Sequence, residues 1–131
     1  MDAKFKLFLG VWVVEKRMTI TITSVEPGNI KGQMIAEGKA RGYKVKFDVI
    51  TSLYSVKEGE KYVIELRSSP PRSLNSYVFC GHGYVVQDIL QELREPLNVT
   101  IFSVWGIIFR FEPRIEELEP EKKYYLCIRP A

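Results

Sequence analysis

The chain has 131 residues, 46% of them apolar and 27% charged, which suits one globular domain and excludes a disordered polymer. Val, Ile, Thr, Phe, Trp and Tyr together number 46 against 4 Ala. β-Branched and aromatic side chains lose rotamer freedom in a helix, so this balance excludes a helical bundle and predicts an all-β domain.

Strand signals run the length of the chain. Phe5, Leu7, Leu9, Val11 and Val13 alternate onto one face, with Gly10 as a bend. The charged Glu15-Lys16-Arg17 follow at once, where a signal peptide would reach a small-residue cleavage site, so the segment is read as a first strand. No apolar stretch approaches the roughly 20 residues of a membrane helix. Thr19 to Thr23 alternate with Ile20 and Ile22 inward, and Glu26-Pro27-Gly28-Asn29 reads as a turn. Ile30 to Ala36 is the predicted return strand, and Gly38 to Gly42 a polar break. Tyr43, Val45, Phe47 and Val49 face one way, with Lys44, Lys46 and Asp48 the other. After a turn at Lys57 to Glu60, Tyr62, Ile64 and Leu66 point inward, with Glu65 and Arg67 outward.

Ser68 to Asn75 contains Pro70-Pro71, cannot join a central ladder, and is a surface loop. Tyr77 to Val86 is apolar on both faces and reads as central. Asp88 is placed to cap a short helix over Ile89 to Arg94, stopped by Pro96. Val99 to Trp105, Gly106, and Ile107 to Phe111 form one bent strand or two. Arg114 to Glu119 is a charged connection, and Tyr124, Leu126 and Ile128 belong to a last strand. Eight or nine short strands predict a single closed or nearly closed antiparallel β-barrel spanning residues 1–131.

Chemistry-bearing residues are sparse. Cys80 and Cys127 have no CxxC partner and read as small buried hydrophobes, reduced, in a cytoplasmic protein. His82, between Gly81 and Gly83, stands two residues from Cys80, about 7 Å along a strand, which is long for a thiolate–imidazole dyad. The glycines instead suggest close approach of another backbone. One His and two separated Cys do not make a four-ligand zinc site, and no phosphate-cradling or nucleophile-elbow motif is present. The reading is of a non-enzyme with no cofactor and no small-molecule substrate.

Charge is more informative. The net +3 divides into +5 through Phe47 and −2 beyond it. The basic excess gathers at Lys31, Lys39, Arg41, Lys44 and Lys46, the acidic excess at Glu112, Glu116, Glu117, Glu119 and Glu121. This suits a surface touching nucleic acid on one side and a basic protein on the other, with ordinary solvated charge as the alternative. Lys39, Arg41, Lys44 and Lys46 are the candidate nucleic-acid contacts. Tyr43, Tyr54, Tyr77, Phe79 and Tyr84 are candidate stacking platforms, against a core role that periodicity favours for Tyr43 and Phe79. A free-standing single-stranded RNA- or DNA-binding module satisfies these features.

From Tyr43 onward, four stretches in order change the weighting. They are Phe47-Asp48-Val49 through Leu53-Tyr54 with Gly59-Glu60, Tyr62 and Ile64; Tyr77-Val78-Phe79 with Gly81 and Tyr84; Ser103 with Gly106-Ile107-Ile108-Phe109-Arg110; and Tyr125-Leu126 with Arg129. Together they resemble the eighth subunit of DNA-directed RNA polymerase, called the G subunit in archaea. The family's glycine pair is here Trp105-Gly106, and the long acidic insertion of eukaryotic members is reduced to Pro70 through Asn75. Residues 1–42 match poorly and 43–131 well, which favours the archaeal form. The resemblance implies a barrel related to the OB-fold and a non-catalytic subunit docked on the largest polymerase subunit. Trp105, Gly106, Ile107, Phe109 and Arg110 are the expected partner contacts, with plain core packing as the alternative for Ile107 and Phe109.

Overall fold

Alternation of apolar and polar side chains carries through into eight strands among residues 14–86, 98–120 and 122–131, which the computed structural model describes. They are β1 (Val14–Pro27), β2 (Gln33–Ala40), β3 (Tyr43–Ile50), β4 (Lys61–Arg67), β5 (Phe79–Val85), β6 (Thr100–Val104), β7 (Ile107–Glu112) and β8 (Lys123–Pro130). Every neighbouring pair with a stated register is antiparallel, and the order β1-β2-β3-β7-β6-β5-β8-β4 closes into a barrel. Closure removes the exposed edges that an open sheet must protect. The expected strand over Phe5 to Val13, its bend at Gly10, the short helix over Ile89 to Arg94, and Glu121 lie outside the described residues.

β1 is long because it serves two neighbours. Val14 to Thr21 pair with β4, and Thr21 to Pro27 pair with β2. A register shift between Ile22 and Ser24 marks a bulge, which bends the strand and lets it turn between the two. The inward residues are those the alternation predicts, including Ile20, Ile22, Phe47, Ile64, Leu66, Leu126 and Ile128, each at most 2% exposed. Phe47 and Phe109 stack at 5.4 Å, and Phe79 packs on Phe109 at 6.2 Å. Burying each such ring contributes roughly 1.5–3 kcal/mol, and the apolar interior drives closure. Gly83 faces inward where a Cβ would collide with the Ser103 carbonyl, the close backbone approach its position suggested.

The structure revises several local expectations. β2 begins at Gln33 and continues through Gly38 to Ala40, so the break is only Arg41-Gly42. Gly38 points inward, where a Cβ would stand 3.1 Å from Ile20 Cδ1, so its small size serves packing rather than a turn. Ile30 is not in the return strand; it lies in a turn where its carbonyl accepts from Gln33 N–H at 3.1 Å, and it is 70% exposed. Val99 to Phe111 resolves into two strands joined at Trp105-Gly106. Cys80 and Cys127, expected as reduced thiols, are directly opposite on β5 and β8 and joined as a disulfide. Their sequence separation of 47 conceals this, because they become neighbours only when β5 pairs with β8.

β4 has charged outward residues that are also sheltered. Glu65 and Arg67 point out from the barrel as expected, yet are 2% and 7% exposed. The loop after β4 is tied to this face: Tyr77 Oη donates to Glu65 Oε1 at 2.7 Å, and Arg67 Nε donates to the Ser69 carbonyl at 3.0 Å. Arg67 Nη1 and Arg17 Nε reach the Glu65 carboxylate at 2.8 and 3.1 Å, with Arg129 Nε at 3.6 Å. Burial pushes the Glu65 pKa up, but the Tyr77 and Arg67 hydrogen bonds and the Arg17 and Arg67 charges outweigh it. The carboxyl is therefore held below its usual value.

Candidate functional site

The two-residue connection between β6 and β7 puts an indole at one end of the barrel. Val104 pairs with Ile107, so Trp105 and Gly106 are the turn, with φ of 53° and 86°. Two positive φ values match the hairpin turn that suits strand twist, which ordinarily selects Asn-Gly. Gly106 has no Cβ to clash, whereas Trp105 does, and the conformation costs on the order of 1–3 kcal/mol. Side chains hold the turn in place: Gly106 N–H donates to Ser103 Oγ at 3.3 Å, and Ile108 N–H to Asp48 Oδ2 at 3.1 Å.

Trp105 is 73% exposed and gives little packing to its own fold. Ile30 and Trp105 line one shallow groove together with Ile50, Ile107 and the β1–β2 turn. Leu53, 55% exposed, lies in the adjoining turn after β3. Sequence reasoning misses both Ile30 and Leu53. Each is an apolar residue inside a polar turn, which is a signal, but alternation assigns Ile30 to a strand and Leu53 is hidden within a family-like stretch.

The five expected partner contacts do not form one surface. Trp105 and Gly106 are at the exposed end, with Ile107 half-buried beside them. Phe109 is fully buried against Phe47, which is the core alternative. Arg110 points outward along β7, away from the turn, and is paired across the sheet with Lys46.

Arg110 instead joins the basic residues. Across the outer face of β2, β3 and β7 run two rows, Glu37–Lys46–Arg110 and Lys39–Lys44–Glu112. Lys39, Lys44, Lys46 and Arg110 line one groove, and Arg41 is exposed in the β2–β3 turn. Of the four candidates read from the sequence, Lys39, Lys44 and Lys46 thus share a groove, Arg41 is exposed in the turn beside it, and Arg110 is not expected there.

The acidic segment is arranged differently. Glu117 contacts Lys16 at 3.1 Å, Glu119 contacts Lys122 at 2.6 Å, and Glu112 and Glu116 face Arg110 and Arg114 at 3.8 and 3.9 Å. Lys16 also lies over the Tyr43 ring at 5.0 Å. Burial works to lower its pKa, but the bonds to Glu117 and Tyr43 prevail and raise it. Among the described residues, Glu117 and Glu119 are thus closely paired, while Glu112 and Glu116 have only long contacts.

Of the stacking candidates, Tyr54 and Phe79 are core, Tyr77 is engaged with Glu65, and Tyr84 is 48% exposed. Cys80 is in the disulfide and His82 stacks on Tyr125 at 4.2 Å, so the two do not form a dyad. Among the described residues, no three His, Cys, Asp or Glu side chains converge as a metal site.

Comparison with known proteins agrees with this architecture. The chain is 26% identical over 120 residues to DNA-directed RNA polymerase subunit Rpo8 of Saccharolobus solfataricus, covering 86% of this chain and 90% of the relative. It is 27% identical over 122 residues to the protein of that name in Saccharolobus shibatae, covering 86% and 91%. The family model for the G subunit of DNA-directed RNA polymerase matches residues 15–131. The described strands all fall within that match apart from Val14, and the chain belongs to the G-subunit family of DNA-directed RNA polymerase.

Proposed function

We propose that the protein is a non-catalytic structural subunit of DNA-directed RNA polymerase that docks on the largest subunit through the Trp105 end of its barrel. The observation that carries this reading is Trp105 itself, 73% exposed at a φ of 53°. An indole there costs backbone strain and leaves a large apolar surface in water. Burial against a partner explains both, since tryptophans desolvated at an interface centre are frequent hot spots. Ile30 and Leu53 extend the apolar contact, and a stable interface needs about 1,000 Å² or more in total.

The function follows from rigidity. A closed barrel with an aromatic core presents its end turns in fixed positions, so little ordering entropy is lost on docking. The test is affinity for polymerase lacking this subunit. Trp105→Ala should weaken binding about 30-fold, the equivalent of a hot-spot loss near 2 kcal/mol. Unchanged affinity in both Trp105→Ala and Ile30→Ser overturns this docking surface. Tagging the chain in its source cell tests the wider reading. Recovery of the large polymerase subunits supports it, whereas recovery with RNA alone points to a free-standing nucleic-acid module.

A further inference from the structure

We infer that the outer face of β2, β3 and β7 binds the phosphate backbone of a single nucleic-acid strand. Two like-charge pairs stand directly opposite there, Lys39 with Lys44 and Lys46 with Arg110, while Lys46 also faces Glu37 and Lys44 also faces Glu112. Like-charge cross-strand pairs destabilise a sheet, so the fold gains nothing from those two. Among the described residues, Lys39, Arg41, Lys44 and Lys46 take part in no ion pair. Arg110 has only a 3.8 Å contact with Glu112.

The groove carries four cations against the two carboxylates of Glu37 and Glu112, with Arg41 adjacent. The charge therefore favours a polyanion. Lys44 and Lys46 are about 6.7 Å apart along β3, from a rise of about 3.3–3.4 Å per residue. That is close to the spacing of successive phosphates on an extended strand.

An acidic protein is the competing polyanion, and the surface disfavours it. None of the exposed large apolar residues, Ile30, Leu53, Leu74, Tyr84 and Trp105, lines this groove. A protein interface is expected to have an apolar, desolvated centre, whereas strand binding through phosphates needs none. The groove also lies apart from the Trp105 turn, so a docked subunit retains it, and the inference does not rest on docking.

The test is fluorescence anisotropy of a labelled oligouridylate with the purified full chain across a salt series. Neutralising four phosphates predicts a log–log slope near −3, or about a 50-fold loss between about 50 and 200 mM salt, at about −0.7 per phosphate. The double variant Lys44→Gln/Lys46→Gln should halve the slope and weaken low-salt binding about tenfold. Lys44→Arg/Lys46→Arg should retain both, and so should Trp105→Ala. A flat salt response, or an unchanged slope in the glutamine variant, overturns the inference. Tighter binding of polyglutamate than of oligouridylate overturns it in favour of an acidic protein.

Discussion

On the outer side of β4, Glu65 sits among Arg17, Arg67 and Arg129 and is 2% exposed. On the outer side of β3, Lys44 and Lys46 stand in solvent, each between a cation on one neighbouring strand and a carboxylate on the other. Both faces put charge on the outside of the same barrel, as alternation dictates. The first face gathers three arginines on one carboxylate and shelters Glu65 and Arg67, with Tyr77 and the loop after β4 tied to them. The second leaves Lys44 and Lys46 outside any ion pair among the described residues. Charge that is paired and sheltered belongs to the fold. Charge held against its own kind in the open is available to something else.

Removing Glu65 should have the largest effect of any change on either face. Glu65→Ala leaves Arg67 buried without its counterion, and losing one partner of a buried pair costs about 3–5 kcal/mol. Urea unfolding should register that loss, while the same assay on Lys46→Ala should move by less than about 0.5 kcal/mol, as surface substitutions do. Equal losses at both sites erase the distinction.

Acid should separate the faces as well. Glu65 is held below its usual value of 4.5 in the folded state. Its contribution is therefore present in full above that value and lost as pH falls through the lower, folded pKa. The difference in stability between the parent and Glu65→Gln should be constant near neutrality and shrink below pH 4.5. A difference that stays constant in acid argues that the carboxylate is not the stabilising group.

Much of this is legible in the residues, for a local reason. Strand alternation is a period-two property, so the inward set from Tyr43 to Val49 and the outward direction of Glu65 and Arg67 can be read directly. Shelter cannot be read, because it depends on where the loop after β4 returns, and Pro70-Pro71 says only that it leaves the sheet. The same limit hides the Cys80–Cys127 pairing and the place of Arg110, each set by a partner strand distant in sequence. The basic cluster is legible because β2 and β3 are joined by a short hairpin. Its pairing is less so: Lys39 reads as part of the Gly38 to Gly42 break, and only the extension of β2 to Ala40 sets it opposite Lys44.

Trp105 is an apolar counterpart of the open charges. Trp105→Asn installs a residue that tolerates positive φ, so the isolated chain should gain up to about 1 kcal/mol. Polymerase affinity should fall at the same time. Thermal unfolding and binding measured on one preparation check the two signs together. A loss of stability would mean that the indole supports the fold and is not held there for a partner.

The smallest effect tests the open face on its own terms. Lys39 stands between Thr21 on β1 and Lys44 on β3. Lys39→Glu therefore replaces a repulsive cross-strand pair with an attractive one, without setting another carboxylate directly opposite. Pairs of this kind change stability by roughly 0.2–1 kcal/mol, so a gain of a few tenths is expected at low salt. The gain should fade as salt screens the exposed charges, whose Debye length falls to about 8 Å at physiological ionic strength. Oligonucleotide affinity should drop in the same variant. A substitution that stabilises the chain while weakening its hold on a polyanion would separate the two uses of charge on this barrel. Stability and affinity falling together would mean that Lys39 serves the fold, and that the two faces are less different than their geometry implies.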